Sequence, residues 1–243
     1  MKTLQSKDFQ NRLRGGVFLS LITIPTYFLA DGLPFRIVMT IGLTLALIEL
    51  FSIALCSRFF PDAKDATAAC TLFFSLTLSI IAVWSFPRDL IGGVVVVAVS
   101  TDAFAYFGGK FLGGKFVGLT KNSRPFPYVS PNKTWEGTAI GLICGLIAAI
   151  LWARLVMRGS YTLLWHFLWM PFAAVFGDLL ESFFKRRSGV KDSNDFLTET
   201  PVIRQIEGLL GGKGGHGGYL DRLDSFSFIT LLLFLADIAG KLL

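Results

Sequence analysis

Apolar residues along this chain fall in long blocks rather than at the alternating spacing of half-buried strands. The blocks run over about Gly15–Ala30, Ile37–Cys56, Ala66–Phe86, Leu90–Phe107, Thr138–Met157, Tyr161–Leu180 and Ser225–Leu242. A hydrocarbon core about 30 Å thick is crossed by roughly 20 mainly apolar residues in a helix. In lipid the backbone polar groups must be satisfied internally, which a helix does within one segment. The pattern therefore predicts an all-α, polytopic integral membrane protein of about seven to nine transmembrane helices. No small-residue cleavage site follows the first block, so it reads as a retained span rather than a removed signal.

Composition supports a lipid environment. Of 243 residues, 53% are hydrophobic and only 16% charged, with a mean hydropathy of +0.60. Soluble domains carry about 25% charged residues, and disordered chains are poorer in apolar ones, so both classes are excluded. Cys56, Cys70 and Cys144 lie in or beside apolar blocks, are odd in number and form no C-x-x-C pair. They read as small packing residues rather than a disulfide or zinc framework.

The net charge of +6 is distributed by side of the membrane. With a cytoplasmic amino terminus, 18 of the 23 Lys and Arg residues fall in inward-facing segments. The positive-inside rule favours that orientation, and the alternation excludes a continuous basic surface for nucleic acid. Two parts differ in kind. Residues 1–100 are spans with short connections, whereas residues 101–243 include two long polar segments, 108–137 and 182–224, both expected to be cytoplasmic. Loops of that length in a compact protein are commonly functional, so a cytoplasm-facing polar active site is expected there.

Acids within apolar blocks are costly unless they face a partner, a cavity or a metal. Asp102 and Asp178 are such acids. On a helix Asp178, Ser182 and Lys185 share a face, with Glu181 beside it, and Asp221 and Asp224 lie three apart at the start of the last block. Each acid alone could equally neutralise Arg186, Arg187 or Arg222. As a set, Asp178, Asp192, Asp221 and Asp224 suit Mg²⁺, which takes one or two carboxylates together with waters and substrate phosphates.

Phosphate-binding features adjoin these acids. Ser130-Pro131-Asn132-Lys133-Thr134-Trp135-Glu136-Gly137 reads as a loop feeding a helix, offering hydroxyls, a cation and free N–H groups. The glycine run 211–218, with Lys213 and His216, lets backbone amides approach an anion or serves as a hinge. Lys185, Arg186, Arg187 and Lys191 suit anionic lipid headgroups or a triphosphate. His166 reads as an interfacial or satisfied buried residue. With two histidines in all and no plausible Ser–His or Cys–His pair, covalent nucleophilic catalysis is disfavoured.

The order Ser182-Phe183-Phe184-Lys185-Arg186, Lys191-Asp192 and His216-Gly217-Gly218-Tyr219-Leu220-Asp221-Arg222-Leu223-Asp224 resembles the signature of phosphatidate cytidylyltransferases, S-x-x-K-R-x₄-K-D followed by H-G-G-x-x-D-R-x-D. Gly177–Glu181, Thr101–Phe107 and Ser130–Gly137 are also similar to that family, so the resemblance covers roughly residues 100–226. The first hundred residues agree only in being apolar spans. The spacing departs from the pattern in one place: 24 residues separate Asp192 from His216, more than in the family, and the proline usual before H-G-G is missing.

The resemblance implies transfer of CMP from CTP to phosphatidate, giving CDP-diacylglycerol and pyrophosphate. It implies dependence on Mg²⁺, with a second cation making a metal pair on Asp178 and Asp221, and a homodimer in a lipid membrane. Lys185, Arg222 and Asp224 are then the candidate catalytic groups. Asp102, Ser130, Lys133, Thr134, Glu136, Ser182, Arg186, Lys191, Asp192 and His216 are the candidate substrate-binding groups. Two other classes compete: an ion-coupled secondary transporter using Asp102 and Asp178, and a CTP-dependent polyprenol kinase. The first is weakened by polar residues gathered in loops rather than at the bilayer midplane. The second would move the γ-phosphate rather than the nucleotide.

Overall fold

The computed structural model describes residues 21, 23–56, 63–116, 124–158, 167–188 and 219–242. Among these there is no strand. The main helices are α1 (Leu33–Cys56), α2 (Ala63–Ser85), α3 (Arg88–Leu112), α4 (Trp135–Leu155), α5 (Met170–Arg187) and α6 (Leu220–Leu242). A short helical stretch at residues 23–28 leads into α1 through a turn at Asp31 and Gly32, both left-handed with φ of 55° and 81°.

Five of these helices, all but α5, contain a stretch long and apolar enough to cross a membrane. The protein is thus an integral membrane protein whose described residues form helices and their connections. Residues 15–20 of the first expected block and residues 161–166 of the sixth lie outside the described residues.

Helix boundaries differ from the apolar blocks for local physical reasons. Helix α4 starts at Trp135 because Thr134, in extended conformation, accepts the Gly137 N–H at 3.1 Å as an N-cap. Helix α5 continues past Leu180, taking Ser182–Arg187 out of the expected loop. Its buried stripe (Met170, Ala173, Ala174, Gly177, Glu181 and Phe184) recurs every three or four residues to the end. Polarity ended the block, but packing carried the helix on.

The bundle runs up and down. At one end Arg36 of α1 donates to Trp84 O (2.8 Å) and Phe86 O (3.3 Å), and Trp152 of α4 donates to Asp89 O of α3 (2.8 Å). At the other end the close of α5 meets the starts of α4 and α6, and Glu49 of α1 accepts the N–H groups of Tyr219 and Leu220. One apolar core, including Leu43, Leu72, Val94, Ala149, Met170 and Ile229, draws on all six helices.

Two devices bring the helices close where lipid gives no hydrophobic drive between them. Gly137, Gly141 and Gly145 form a stripe on α4 against Thr101, Ala105 and Gly109 of α3. A Cβ on Gly141 would lie 2.6 Å from both Ala105 Cβ and Thr101 O. Between α2 and α6, Ser75, Ser79, Ser227 and Thr230 are all fully buried. Ser75 and Ser227 hydroxyls are 3.2 Å apart, and the Ser79 and Thr230 hydroxyls are hydrogen-bonded.

Candidate active site

The last three turns of α5 carry Asp178, Glu181, Ser182 and Lys185, and the first two turns of α6 carry Asp221, Arg222, Asp224 and Ser225. The two stretches touch because position 177 is glycine. A Cβ there would lie 2.8 Å from Asp224 O and 2.8 Å from Phe228 Cβ, so any side chain would push the Asp224 backbone off α5.

This approach gathers carboxylates. One oxygen each from Asp178, Glu181 and Asp224 lies within 4.8 Å of the others, with Glu181 2% and Asp224 3% exposed. Asp221 adjoins Glu181 at the edge of this group, both paired with the Lys185 ammonium. Asp102, from the middle of α3, reaches it through Ser225, whose hydroxyl oxygen is 3.3 Å from Asp102 Oδ1 and 3.0 Å from Ala174 O.

Two lysines balance the acids. Lys133, two residues before α4, places Nζ 2.6 Å from Asp178 Oδ2, and the Ser182 hydroxyl donates to Asp178 Oδ1 at 3.4 Å. Lys185 bridges Glu181 Oε1 at 2.8 Å and Asp221 Oδ1 at 2.5 Å. Burial, reinforced by the neighbouring Asp221, pushes the Glu181 carboxyl well above the usual range. For Lys185 burial acts downward, but Glu181 and Asp221 outweigh it and hold the ammonium above its ordinary value.

The face shared by Asp178, Ser182 and Lys185 is thus present, and Lys133, Asp221, Asp224 and Asp102 join it. Arg222 sits half-buried in the first turn of α6, and Arg186 is exposed at the end of α5. Ser130 lies in the turn before α4, its carbonyl accepting the Lys133 N–H at 3.2 Å. Thr134 and Glu136 are engaged locally: Thr134 caps α4, and Glu136 Oε1 accepts the Phe116 N–H at 3.1 Å, tying the exit of α3 to the start of α4. Lys191, Asp192 and His216 lie outside the described residues.

The sequence places Glu181 only beside the Asp178 face, yet it sits at the centre of the cluster. Its place in the buried stripe of α5 was a signal, because a carboxylate among Gly177 and Phe184 needs charged company. Ser225 and Glu49 carried no such signal, since their partners are on distant helices. An all-oxygen donor set of this kind fits a hard cation that keeps waters and substrate phosphate oxygens in its shell. Asp178, Glu181 and Asp224 are the residues that could hold one.

Comparison with known proteins agrees with this chemistry. The phosphatidate cytidylyltransferase of Helicobacter pylori (strain J99) is 39% identical over 137 residues, covering 56% of this chain and 42% of that protein. That of Bacillus subtilis (strain 168) is 38% identical over 137 residues, covering 55% and 42%. The chloroplastic phosphatidate cytidylyltransferase 4 of Arabidopsis thaliana is 40% identical over 132 residues, covering 54% and 27%. Each match spans less than half the length of the relative. The model of the cytidylyltransferase family matches residues 5–200, reaching through the first hundred residues and ending before the His216–Asp224 element. With that match over most of its length, the chain belongs to the cytidylyltransferase family.

Proposed function

We propose that this protein is a phosphatidate cytidylyltransferase of seven to nine spans, which takes CTP from the cytoplasm and phosphatidate from the membrane. The observation that carries this reading is the convergence of Asp178, Glu181 and Asp224 with Lys133 and Lys185 in a chain of the cytidylyltransferase family. The catalytic region is residues 101–243.

In this reaction a phosphate oxygen of phosphatidate bonds to the α-phosphorus of CTP, and the bond from that phosphorus to the β-phosphate bridge breaks, releasing pyrophosphate. A phosphomonoester has its second pKa near 6, so the attacking oxygen is already ionised at neutral pH and needs no strong base. That agrees with a site built of acids and lysines. The task left to the protein is to bring two polyanions together and to balance charge on the departing pyrophosphate.

Asp178 and Asp221, with Glu181 and Asp224 beside them, would hold the cations. When bound, Mg²⁺ would supply positive charge to balance the substrate phosphates. Lys133 and Lys185 are held against these acids, where each can pass from carboxylate to phosphate, and Arg222 adds a third cation at the mouth of α6. Ser130, Ser182, Arg186 and the residues Lys191, Asp192 and His216 complete the contacts to substrate. Asp102 steadies α6 through Ser225. A headgroup at the membrane surface and a nucleotide from water meet naturally where these helices end.

Purified protein given phosphatidate, Mg²⁺ and CTP labelled on the α- or γ-phosphate tests the assignment. The α-label is expected in a lipid product and the γ-label in pyrophosphate. A lipid carrying the γ-label would make the protein a kinase, and no labelled lipid would remove the reaction altogether.

A further inference from the structure

Glu49 lies on α1, among Leu43, Ala46, Leu50 and Ile53, and is 1% exposed. Both of its carboxylate oxygens are engaged by the backbone of another helix. Oε1 accepts the Tyr219 N–H at 2.9 Å, and Oε2 accepts the Leu220 N–H at 2.9 Å. These donors open α6, where a helix leaves its first N–H groups without internal acceptors. Such donors are usually met by a Ser, Thr, Asp or Asn at the cap itself. Tyr219 has no short oxygen side chain to do this, and the acceptor comes instead from a residue 170 positions earlier.

A carboxylate in that place satisfies two donors and meets the positive end of the helix dipole. An acid on a span is expensive, so a local cap would be the cheaper way merely to start a helix. What the remote cap adds is register. Each residue of an α-helix turns by about 100° and rises 1.5 Å. Fixing the Tyr219 and Leu220 amides against α1 therefore sets the direction of every side chain in the next turn. That turn contains Asp221, which meets Lys185, and Asp224, which meets Asp178 and Glu181.

We propose that Glu49 is a positioning residue. It fixes the height and rotation of the first turn of α6, so that Asp221 and Asp224 face α5. Its link to turnover rests on the reading of that cluster as the cytidylyltransferase site, whereas its effect on α6 does not.

The test uses the full-length protein and the variants Glu49→Gln and Glu49→Ala. Glu49→Gln keeps the shape and one acceptor oxygen, so it preserves the fold where Glu49→Ala fails to. Amide hydrogen exchange and CTP-dependent turnover are measured on the same samples. In Glu49→Gln, exchange at Tyr219 and Leu220 is expected to quicken about tenfold, with the α3–α4 contact unchanged. Loss of one hydrogen bond to a charged group is of that size or larger. The kcat is expected to fall about tenfold, while the KM for CTP moves less than about twofold.

Exchange at those amides equal to wild type overturns the proposal. So does a wild-type kcat in a variant whose exchange has quickened. Should wild-type protein yield no labelled lipid, the assigned reaction fails and the exchange measurement alone decides the role of Glu49.

Discussion

The Lys185 ammonium lies 2.5 Å from Asp221 Oδ1, joining the end of α5 to the first turn of α6, and it lies 2.8 Å from Glu181 Oε1 as well. One cation thus holds two carboxylates from different helices. Removing one partner of a buried ion pair leaves the others uncompensated and costs about 3–5 kcal/mol. Lys185→Met is expected to lower the melting temperature and to cut turnover by about 10²-fold or more. Thermal unfolding and initial rates on the same preparation check both effects.

The proposed function has Asp178 and Asp221 as metal ligands, with Glu181 and Asp224 beside them. Asp178→Ala and Asp221→Ala are each expected to abolish CTP-dependent turnover while the protein stays folded, as judged by its helical circular dichroism and its elution as a single species. Near-normal rates in both variants would exclude these acids as ligands.

Gly177 permits the contact between α5 and α6. In Gly177→Val the new side chain meets Asp224 O and Phe228 Cβ, atoms of a helix backbone and its packed face. Overpacking of this kind costs about 1–3 kcal/mol. Because the displaced backbone belongs to Asp224, activity is expected to fall further than stability. Parallel unfolding and rate measurements separate the two.

Glu181 gives a dependence on pH whose sign follows from its raised pKa. A group with a folded pKa above its unfolded one contributes stability at low pH and loses it as pH rises through the folded value. Glu181→Gln imitates the protonated form and removes that slope. In metal-free buffer, the melting temperature of wild type relative to Glu181→Gln is expected to fall as pH is raised from about 4 toward neutrality and beyond. Lys185, also raised, adds no slope in that range, because its contribution is lost only in strongly alkaline solution.

Much of this was legible in the sequence because the physics was local. Length and hydropathy placed α1 to α4 and α6 to within a few residues, since a span must be long and apolar whatever it packs against. The shared face of Asp178, Ser182 and Lys185 followed from helical geometry alone. What stayed hidden depended on contacts distant in sequence. The start of α6 was expected at Ser225, five residues late, because the carboxylate that caps it belongs to Glu49. The apolar block stops at Leu180 because the residues after it are polar, whereas the helix and its buried stripe through Glu181 and Phe184 run on to Arg187. Glu136 stands among the candidate substrate groups, and its contact with the Phe116 N–H, twenty residues away, came into view only with the packed α3–α4 pair.

Anomalous diffraction from crystals grown with Mn²⁺ and CTP tests most directly whether this cluster is the catalytic centre. The expected result is a metal peak within bonding distance of Asp178 and at least one of Glu181, Asp221 and Asp224, with nucleotide phosphate oxygens in its shell and the Lys133 or Lys185 ammonium turned toward phosphate. Nucleotide and metal bound elsewhere, with both lysine–carboxylate pairs intact, would contradict it.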